Sequence, residues 1–109
     1  MRTHRQARLQ SLTHQLVAET LQRDYSWEGS IVTVASVELN SASDHAKVFI
    51  SILPPTHRDK ILSDLKRQEK KIEWTLLKKM PIRPVPSLEF VLDIGLSESA
   101  KVEKLLQDQ

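Results

Sequence analysis

Cysteine is absent from this 109-residue sequence, glycine occurs only twice, and aromatic residues make up only 5% of the chain. Without cysteine the chain cannot form disulfides, zinc–thiolate sites or thiol nucleophiles, and this fits a reducing compartment. Two glycines are too few for a glycine-rich loop that cradles phosphates. Because apolar residues are only 39% of the total, the core must be small and aliphatic, and we expect no cofactor.

Long hydrophobic runs are also missing, since no apolar stretch approaches the length of a membrane-spanning helix. The first eight residues are basic, but a helical pattern follows at once and leaves no apolar signal core. We therefore expect a cytoplasmic protein that does not bind membranes. The early start of the helix leaves no room for a transit peptide, which favours a bacterial source. The length predicts a single domain over residues 1–109.

Residues that could perform catalysis or bind metal are scattered. None of the four histidines stands at metal-ligand spacing from another histidine or from a carboxylate pair. The serines lack the glycine pattern of a nucleophile elbow. We therefore predict that the protein is not an enzyme and has neither catalytic residues nor a metal site.

The first half of the sequence predicts a helix and a hairpin. Apolar residues recur every three to four positions from residue 3 or 4 to residue 23, which is typical of an amphipathic helix with Thr3 as its N-cap. In the connector that follows, residues 24–30, Trp27 would cover one end of the core or, alternatively, stack on a base. Two runs rich in β-branched residues then predict strands joined by turn residues. The strands are residues 31–39 and 46–53, and the turn is residues 40–44.

Alternation in these strands predicts a sheet that helices cover on one side only. In the first strand it assigns the odd-numbered residues to one face and the even-numbered ones, with Val32 and Val34, to the other. The even-numbered residues of the second strand form an apolar face. Its odd-numbered residues form a mixed face that consists of Lys47, Phe49, Ser51 and Leu53.

Residues 56–80 predict a long helix that begins after two prolines, with Thr56 as its N-cap. Its apolar stripe is interrupted by Gln68 and Glu69, so the sequence leaves open whether this is one straight helix, a bent one or two helices. The stripe consists of Ile61, Leu62, Leu65, Ile72, Leu76, Leu77 and Met80. A strand at residues 88–93 and a short helix at residues 97–106 follow. Because a helix joins them, the strands at 46–53 and 88–93 should be parallel.

Positive charge is concentrated in this second half. Nine basic and four acidic residues lie between positions 58 and 83, a net charge of +5, whereas the whole chain carries +2 and the remainder therefore −3. In many helices such a run is only a solvated surface, and the same applies to the basic start of the first helix. The alternative is a surface that binds phosphates. With so few aromatic residues, base stacking cannot be the main source of affinity.

The order of elements and several short phrases resemble the ribosome-binding factor A family over nearly the whole chain. The most specific phrases are Ala-Lys-Val in the second strand and Val-Pro-x-Leu-x-Phe in the third. The matching positions are Arg2 and Arg5 before the leucine stripe, residues 32–37, Asp44 with residues 46–51, Ile82 and Arg83, residues 85–90, and Asp93. One segment departs from the family: its members usually have an Ala-x-Gly kink between two central helices, where this chain has Gln68-Glu69-Lys70. The arginine often found shortly after the kink is Glu73 here.

The resemblance implies an α+β fold of the type II KH-like class. In that fold, helices pack on one face of a three-stranded mixed sheet, and the order of elements is α-β-β-α-α-β-α. It also implies binding to the immature 30S subunit and the 5′ region of its 16S rRNA, and a role in late maturation and rRNA processing. We further expect a monomer that associates with free 30S subunits. No small-molecule substrate is expected.

Charge and resemblance together predict that basic side chains contact RNA phosphates. The predicted RNA-binding residues are Arg2, Arg5, Arg8, Lys66, Arg67, Lys70, Lys71, Lys78, Lys79 and Arg83. Two alternatives stay open. One is a KH-like module for another RNA, and the other is a protein-interaction domain that uses the open sheet face with Phe49, Val32 and Val34.

Overall fold

The computed structural model describes residues 3–94 and contains two helices and three strands. The elements are α1 (His4–Asp24), β1 (Ile31–Leu39), β2 (His45–Leu53), α2 (Arg58–Lys79) and β3 (Ser87–Leu92). This is the predicted α+β class. The short helix predicted over residues 97–106 lies outside the described residues.

The three strands form one mixed sheet in the order β1-β2-β3. β1 and β2 pair antiparallel as a hairpin, whereas β3 joins β2 in the parallel sense. The Asn40 side chain shapes the hairpin turn, because its Oδ1 accepts hydrogen bonds from the N–H groups of Asp44 at 3.1 Å and His45 at 3.0 Å. The parallel pairing confirms that β2, α2 and β3 form a crossover unit.

A β-bulge in β1 overturns the predicted assignment of its faces. The register shifts between Val34 and Ser36, so one extra residue is inserted against β2. Val32 and Val34 therefore share the core face with Val37 instead of lying opposite it, and both pack against the core. The open face consequently lacks the two valines that the protein-interaction alternative placed there beside Phe49.

α1 begins with the predicted Thr3 N-cap. The Thr3 hydroxyl accepts from the Gln6 N–H at 3.1 Å, and the Gln6 side chain accepts from the Thr3 N–H, which completes a capping box. Two buried threonines lie on the core side of the helix. Their hydroxyls donate to backbone carbonyls four residues earlier, Thr13 to Leu9 and Thr20 to Leu16. Neither buried hydroxyl is therefore left without a partner.

Both helices cover the same face of the sheet and enclose a core that is mostly aliphatic. Its fully buried members are Val17, Ala46, Val48, Ile50, Leu65, Ile72, Leu76 and Phe90. Trp27 packs against the margin of this core and stacks on Tyr25 with ring centroids 5.9 Å apart, as a covering residue would. Within residues 3–94, neither helix is long and apolar enough to cross a bilayer.

α2 differs from the prediction at its start and in its middle. Its N-cap is His57 rather than Thr56, because Thr56 belongs to a single 3₁₀ turn, Pro55–His57, that precedes the helix. The helix then runs unbroken over 22 residues. The predicted order α-β-β-α-α-β-α is therefore wrong in having two central helices where the structure has one. The polar residues in the middle of α2 need no bend, because each has a partner inside the fold.

Candidate nucleic-acid interface

Two glutamates in the middle of α2, Glu69 and Glu73, face the outer edge of β3, the last strand of the sheet. Glu73 Oε1 accepts a hydrogen bond from the Leu88 N–H at 2.7 Å, and Glu69 Oε2 accepts one from the Phe90 N–H at 2.8 Å. The spacings match, because four helical residues rise about 6 Å and two strand residues about 6.6–6.8 Å. Two edge donors that are partly buried thereby gain acceptors. The neighbouring Gln68 accepts from the Tyr25 hydroxyl at 3.3 Å.

Because Glu69 and Glu73 turn toward β3, the solvent side of α2 is predominantly positive. Exposed side chains on that side recur at the i, i+3, i+4, i+7 and i+11 spacing of one helix face. We call this set the basic face, and it consists of Arg67, Lys70, Lys71, Trp74 and Lys78. At the N-terminal end of the basic face, Arg67 forms an ion pair with Asp64. The positive charge is therefore strongest from Lys70 onward.

Lys66 and Lys79 lie at the sides of the basic face. Lys79 acts electrostatically on the end of α1. There the hydrogen bond from Arg23 lowers the pKa of Asp24, burial opposes this effect, and the charges of Lys79 and Lys71 lower the pKa further. Lys66 is exposed on the side nearer β3. Both lysines could reach a phosphate only at the margins of the basic face.

Arg5 and Arg83 meet at the C-terminal end of α2. The Arg83 guanidinium donates to the carbonyl oxygen of Leu77 at 2.9 Å and, in a short hydrogen bond, to that of Met80. These carbonyls belong to the last turn of the helix and its cap, where the partial negative charge of the helix dipole collects. Arg5 Nη2 donates in turn to the backbone carbonyl of Arg83 at 2.8 Å. Both arginines thus hold the end of α2 in place.

The structure therefore divides the predicted RNA-binding residues by position. Four of the ten lie on the basic face, two flank it, and two lie at the end of α2. Arg8 is exposed near the start of α1. Arg2 lies outside the described residues.

Sequence reasoning missed Trp74, which is 58% exposed in the middle of the basic face. Lys78 Nζ lies 5.5 Å from the centre of its ring, within cation–π distance. Leu77, which was predicted to be part of the apolar stripe, is 37% exposed. A helical projection could have revealed Trp74. It lies nine residues, or about two and a half turns, after the buried Leu65, and therefore on the side of the helix opposite Leu65.

A groove of 340 Å³ opens beside Trp74, between α2 and the segment that leads into β3. Most of its lining is apolar. The apolar lining residues are Trp74, Leu77, Val85 and Pro86, and the polar ones are Lys70, Glu73 and Ser87. The groove thus joins a hydrophobic surface to the positive end of the basic face.

A second polar cluster links the starts of β2 and β3. His45 Nδ1 lies 2.9 Å from Ser87 Oγ, and its Nε2 lies 3.1 Å from Glu89 Oε1. These are the residue types of a hydrolase triad, in which histidine takes the serine proton. Here, however, the Ser87 hydroxyl donates to the Asp44 carbonyl oxygen at 3.3 Å. Over residues 3–94 there is also no group of three His, Asp or Glu side chains that could hold a metal.

These features first define a class: an α+β domain of type II KH-like topology whose central helix presents a basic face to solvent. The sequence pattern of the family described as ribosome-binding factor A matches residues 5–106 of the chain. The chain belongs to the ribosome-binding factor A family.

Individual relatives agree with this assignment. The chain is 28% identical over 109 residues to the ribosome-binding factor A of Coprothermobacter proteolyticus, a match that covers 99% of this chain and 80% of that protein. Its fold is similar to the solution structure of a Thermotoga maritima protein proposed to be a ribosome binding factor A, with a TM-score of 0.70, 28% identity, and coverage of 88% of this chain and 93% of that one. It is also similar to a homology model of the Thermus thermophilus ribosome binding factor A, as fitted into a cryo-EM map of the complex of that factor with the 30S subunit. That similarity has a TM-score of 0.63 and 22% identity and covers 84% of this chain and 93% of that one.

Proposed function

We propose that this protein is a ribosome assembly factor that binds the immature 30S subunit through the 5′ region of its 16S rRNA. The observation that carries the proposal is the basic face, in which cations recur along one side of a rigid helix while the acidic Glu69 and Glu73 point away from it. Family membership supports the ribosome as the target. The fitting of the Thermus thermophilus relative into a 30S complex supports the small subunit as the partner.

Phosphate contacts by the basic face account for affinity without sequence recognition. Arginine and lysine side chains that neutralise phosphates release counterions, and this contribution does not depend on the bases. The RNA is therefore recognised mainly by its backbone and shape. By binding the immature form more tightly than the mature one, the factor holds the RNA in a conformation that permits processing and late folding, and then dissociates. It acts as a monomer in the cytoplasm and performs no chemistry itself.

A sucrose gradient tests the assembly role directly. The tagged protein should sediment with free small subunits and be absent from translating ribosomes. An equal amount in both fractions would contradict the role, because a factor that leaves the mature subunit cannot persist on it. Absence from both fractions would contradict small-subunit binding itself.

Charge reversal at Lys70 and Lys71 tests the surface. The double variant Lys70→Glu/Lys71→Glu should lose association with small subunits but keep its thermal unfolding midpoint, because both side chains are exposed and removed from the core. Two neutralised variants compare the basic face with net charge alone. Lys70→Gln/Lys71→Gln removes two positive charges from the basic face and should weaken binding strongly. The matched control, Lys47→Gln/Lys60→Gln, removes two positive charges elsewhere and should not. Similar losses in both would point to net charge rather than to the basic face.

The protein-interaction alternative retains one observation in its favour. Ile31 and Leu53 face each other across β1 and β2 and are 65% and 57% exposed, so the open face of the sheet carries an apolar pair. If this face held the partner, Ile31→Ser/Leu53→Ser would abolish association with small subunits and the lysine variants would not. The opposite result favours RNA binding by α2.

A further inference from the structure

Trp74 stands where a soluble helix normally carries a charged or polar side chain. It lies on the side of α2 opposite the core, with 58% of its surface exposed, and cations of the same helix face lie one turn before and one turn after it. A single exposed hydrophobic residue needs no special explanation. Trp74 differs because a largely apolar groove of 340 Å³ adjoins its ring.

The cations around the ring indicate what the groove accommodates. Lys70 and Lys71 precede Trp74 by one helical turn, and Lys78 follows it by one turn with its ammonium 5.5 Å from the ring centre. Lys78 does not line the groove, so its ammonium leaves that side of the indole accessible. An occupant must therefore combine a flat apolar group with nearby negative charge.

A nucleotide combines these two properties. Its base has a π-face that stacks on an aromatic ring whatever the sequence, and its phosphates follow at either side. An apolar peptide would bring no charge for the lysines, and a paired duplex would keep its bases stacked inside the helix. The groove also offers Leu77, Val85 and Pro86 as apolar contacts for the base.

We infer that Trp74 and the adjoining groove bind one unpaired base of the target RNA, while the lysines of the basic face bind the flanking phosphates. This inference rests on the proposed function and deepens it: the target must contain a single-stranded nucleotide, such as one in a loop, a bulge or an unfolded end. Base stacking then adds a preference for unpaired RNA to the affinity that the phosphates supply.

Binding to two RNAs tests the inference. The full chain is titrated with a short unstructured RNA and with a fully paired duplex of equal length. Trp74→Ala should weaken binding of the single strand by about tenfold and leave duplex binding unchanged, and Trp74→Phe should restore most of the lost affinity. The dependence of the single-strand affinity on salt should be the same in Trp74→Ala as in the wild type, because the phosphate contacts remain. A thermal unfolding curve verifies that the variants are folded.

Fluorescence supplies a direct readout. The chain has two tryptophans, so Trp27→Phe leaves Trp74 as the sole reporter. Its emission should be quenched by the unstructured RNA at stoichiometric addition and much less by the duplex. Equal quenching by both RNAs would overturn the inference.

The outcomes separate the inference from the function on which it rests. If the wild type binds neither RNA nor small subunits, the proposed function fails and the inference with it. If the wild type binds RNA but Trp74→Ala binds the single strand equally well, only the inference fails. A polyglutamate peptide that bound as tightly as RNA, with the same dependence on Trp74, would also overturn it and assign the groove to an acidic protein.

Discussion

Glu73 shows how the fold decides the role of one charged residue. Its carboxylate accepts a hydrogen bond from the Leu88 N–H at 2.7 Å. Because arginine has only donors, an arginine at this position could not accept that hydrogen bond. Glu73 therefore makes an internal contact with the sheet and does not belong to the basic face. The positive charge of that face is supplied by the neighbouring Lys70, Lys71 and Lys78.

Glu89 provides a pH-dependent test at the scale of one residue. The hydrogen bond from His45 lowers the pKa of the Glu89 carboxyl, burial opposes this effect, and the charges of Lys47, His45 and Lys66 lower the pKa further. Because folding lowers this pKa, the ionised carboxylate stabilises the folded state above the ordinary glutamate pKa. That contribution is lost as the pH falls through the lowered value.

His45→Ala should therefore raise the Glu89 pKa toward its ordinary value, as followed by NMR titration of the side chain. The loss of stability on acidification should also become less steep in that variant. His57→Ala is the matched control, because His57 is exposed in the 3₁₀ turn before α2. An unchanged Glu89 pKa in His45→Ala would show that the hydrogen bond is not the cause.

Between elements, a pair of hydrogen bonds joins β3 to α2 outside the core. Glu69→Ala or Glu73→Ala leaves a partly buried N–H of Phe90 or Leu88 without an acceptor. Each change should reduce the free energy of unfolding by about 1–3 kcal/mol, measured by urea denaturation. The Gln variants keep a carbonyl acceptor and should lose less.

Hydrogen exchange identifies the source of that loss. The amides of Leu88 and Phe90 should exchange faster in the corresponding Ala variants than in the wild type. Glu19→Ala on α1 removes an exposed glutamate and should have little effect on either measurement. Equal losses for the Ala and Gln variants would assign the effect to packing rather than to the hydrogen bonds.

The elements also show where sequence patterns suffice and where they do not. Thr3 was predictable as the cap of α1 because capping depends on residues close in sequence. The bulge between Val34 and Ser36 was not, because it depends on the register against β2 and leaves the residue pattern of β1 unchanged. The polar middle of α2 resembled a break in the helix, since its partners on β3 lie some twenty residues further along the chain and only the fold brings them together.

For the candidate site, the charge count indicated the basic segment, residues 58–83, but not which of its side chains form the basic face. The charge of +5 between positions 58 and 83 pointed to α2. A count of charges could not show that Glu69 and Glu73 turn inward or that Arg83 caps the helix. Trp74 is different, because its angular position was available from the sequence alone.

On the scale of the whole molecule, the uneven charge distribution predicts an orientation on a polyanion. The segment that contains α2 carries +5 and the rest of the chain −3, so α2 should face the RNA. If the four cations of the basic face each neutralise one phosphate, the logarithm of the affinity for single-stranded RNA should fall with the logarithm of salt concentration with a slope of about −3.

Titration at several salt concentrations measures this slope. In Lys70→Gln/Lys71→Gln it should shrink to about half, because two of the four contacts are removed. Lys47→Gln/Lys60→Gln should keep the wild-type slope. A slope near zero in the wild type would contradict phosphate binding altogether.

The contacts of Glu69 and Glu73 also affect whether another strand can pair with the edge of β3. Unpaired strand edges allow separate molecules to join their sheets and polymerise, which is a hazard for any protein present at high local concentration. In β3 the edge donors of Leu88 and Phe90 are already occupied by the two carboxylates, and in β1 the bulge disrupts the regular edge. Over residues 3–94 the sheet has three strands, and the two glutamates leave the β3 edge with fewer free donors for a second molecule to pair with.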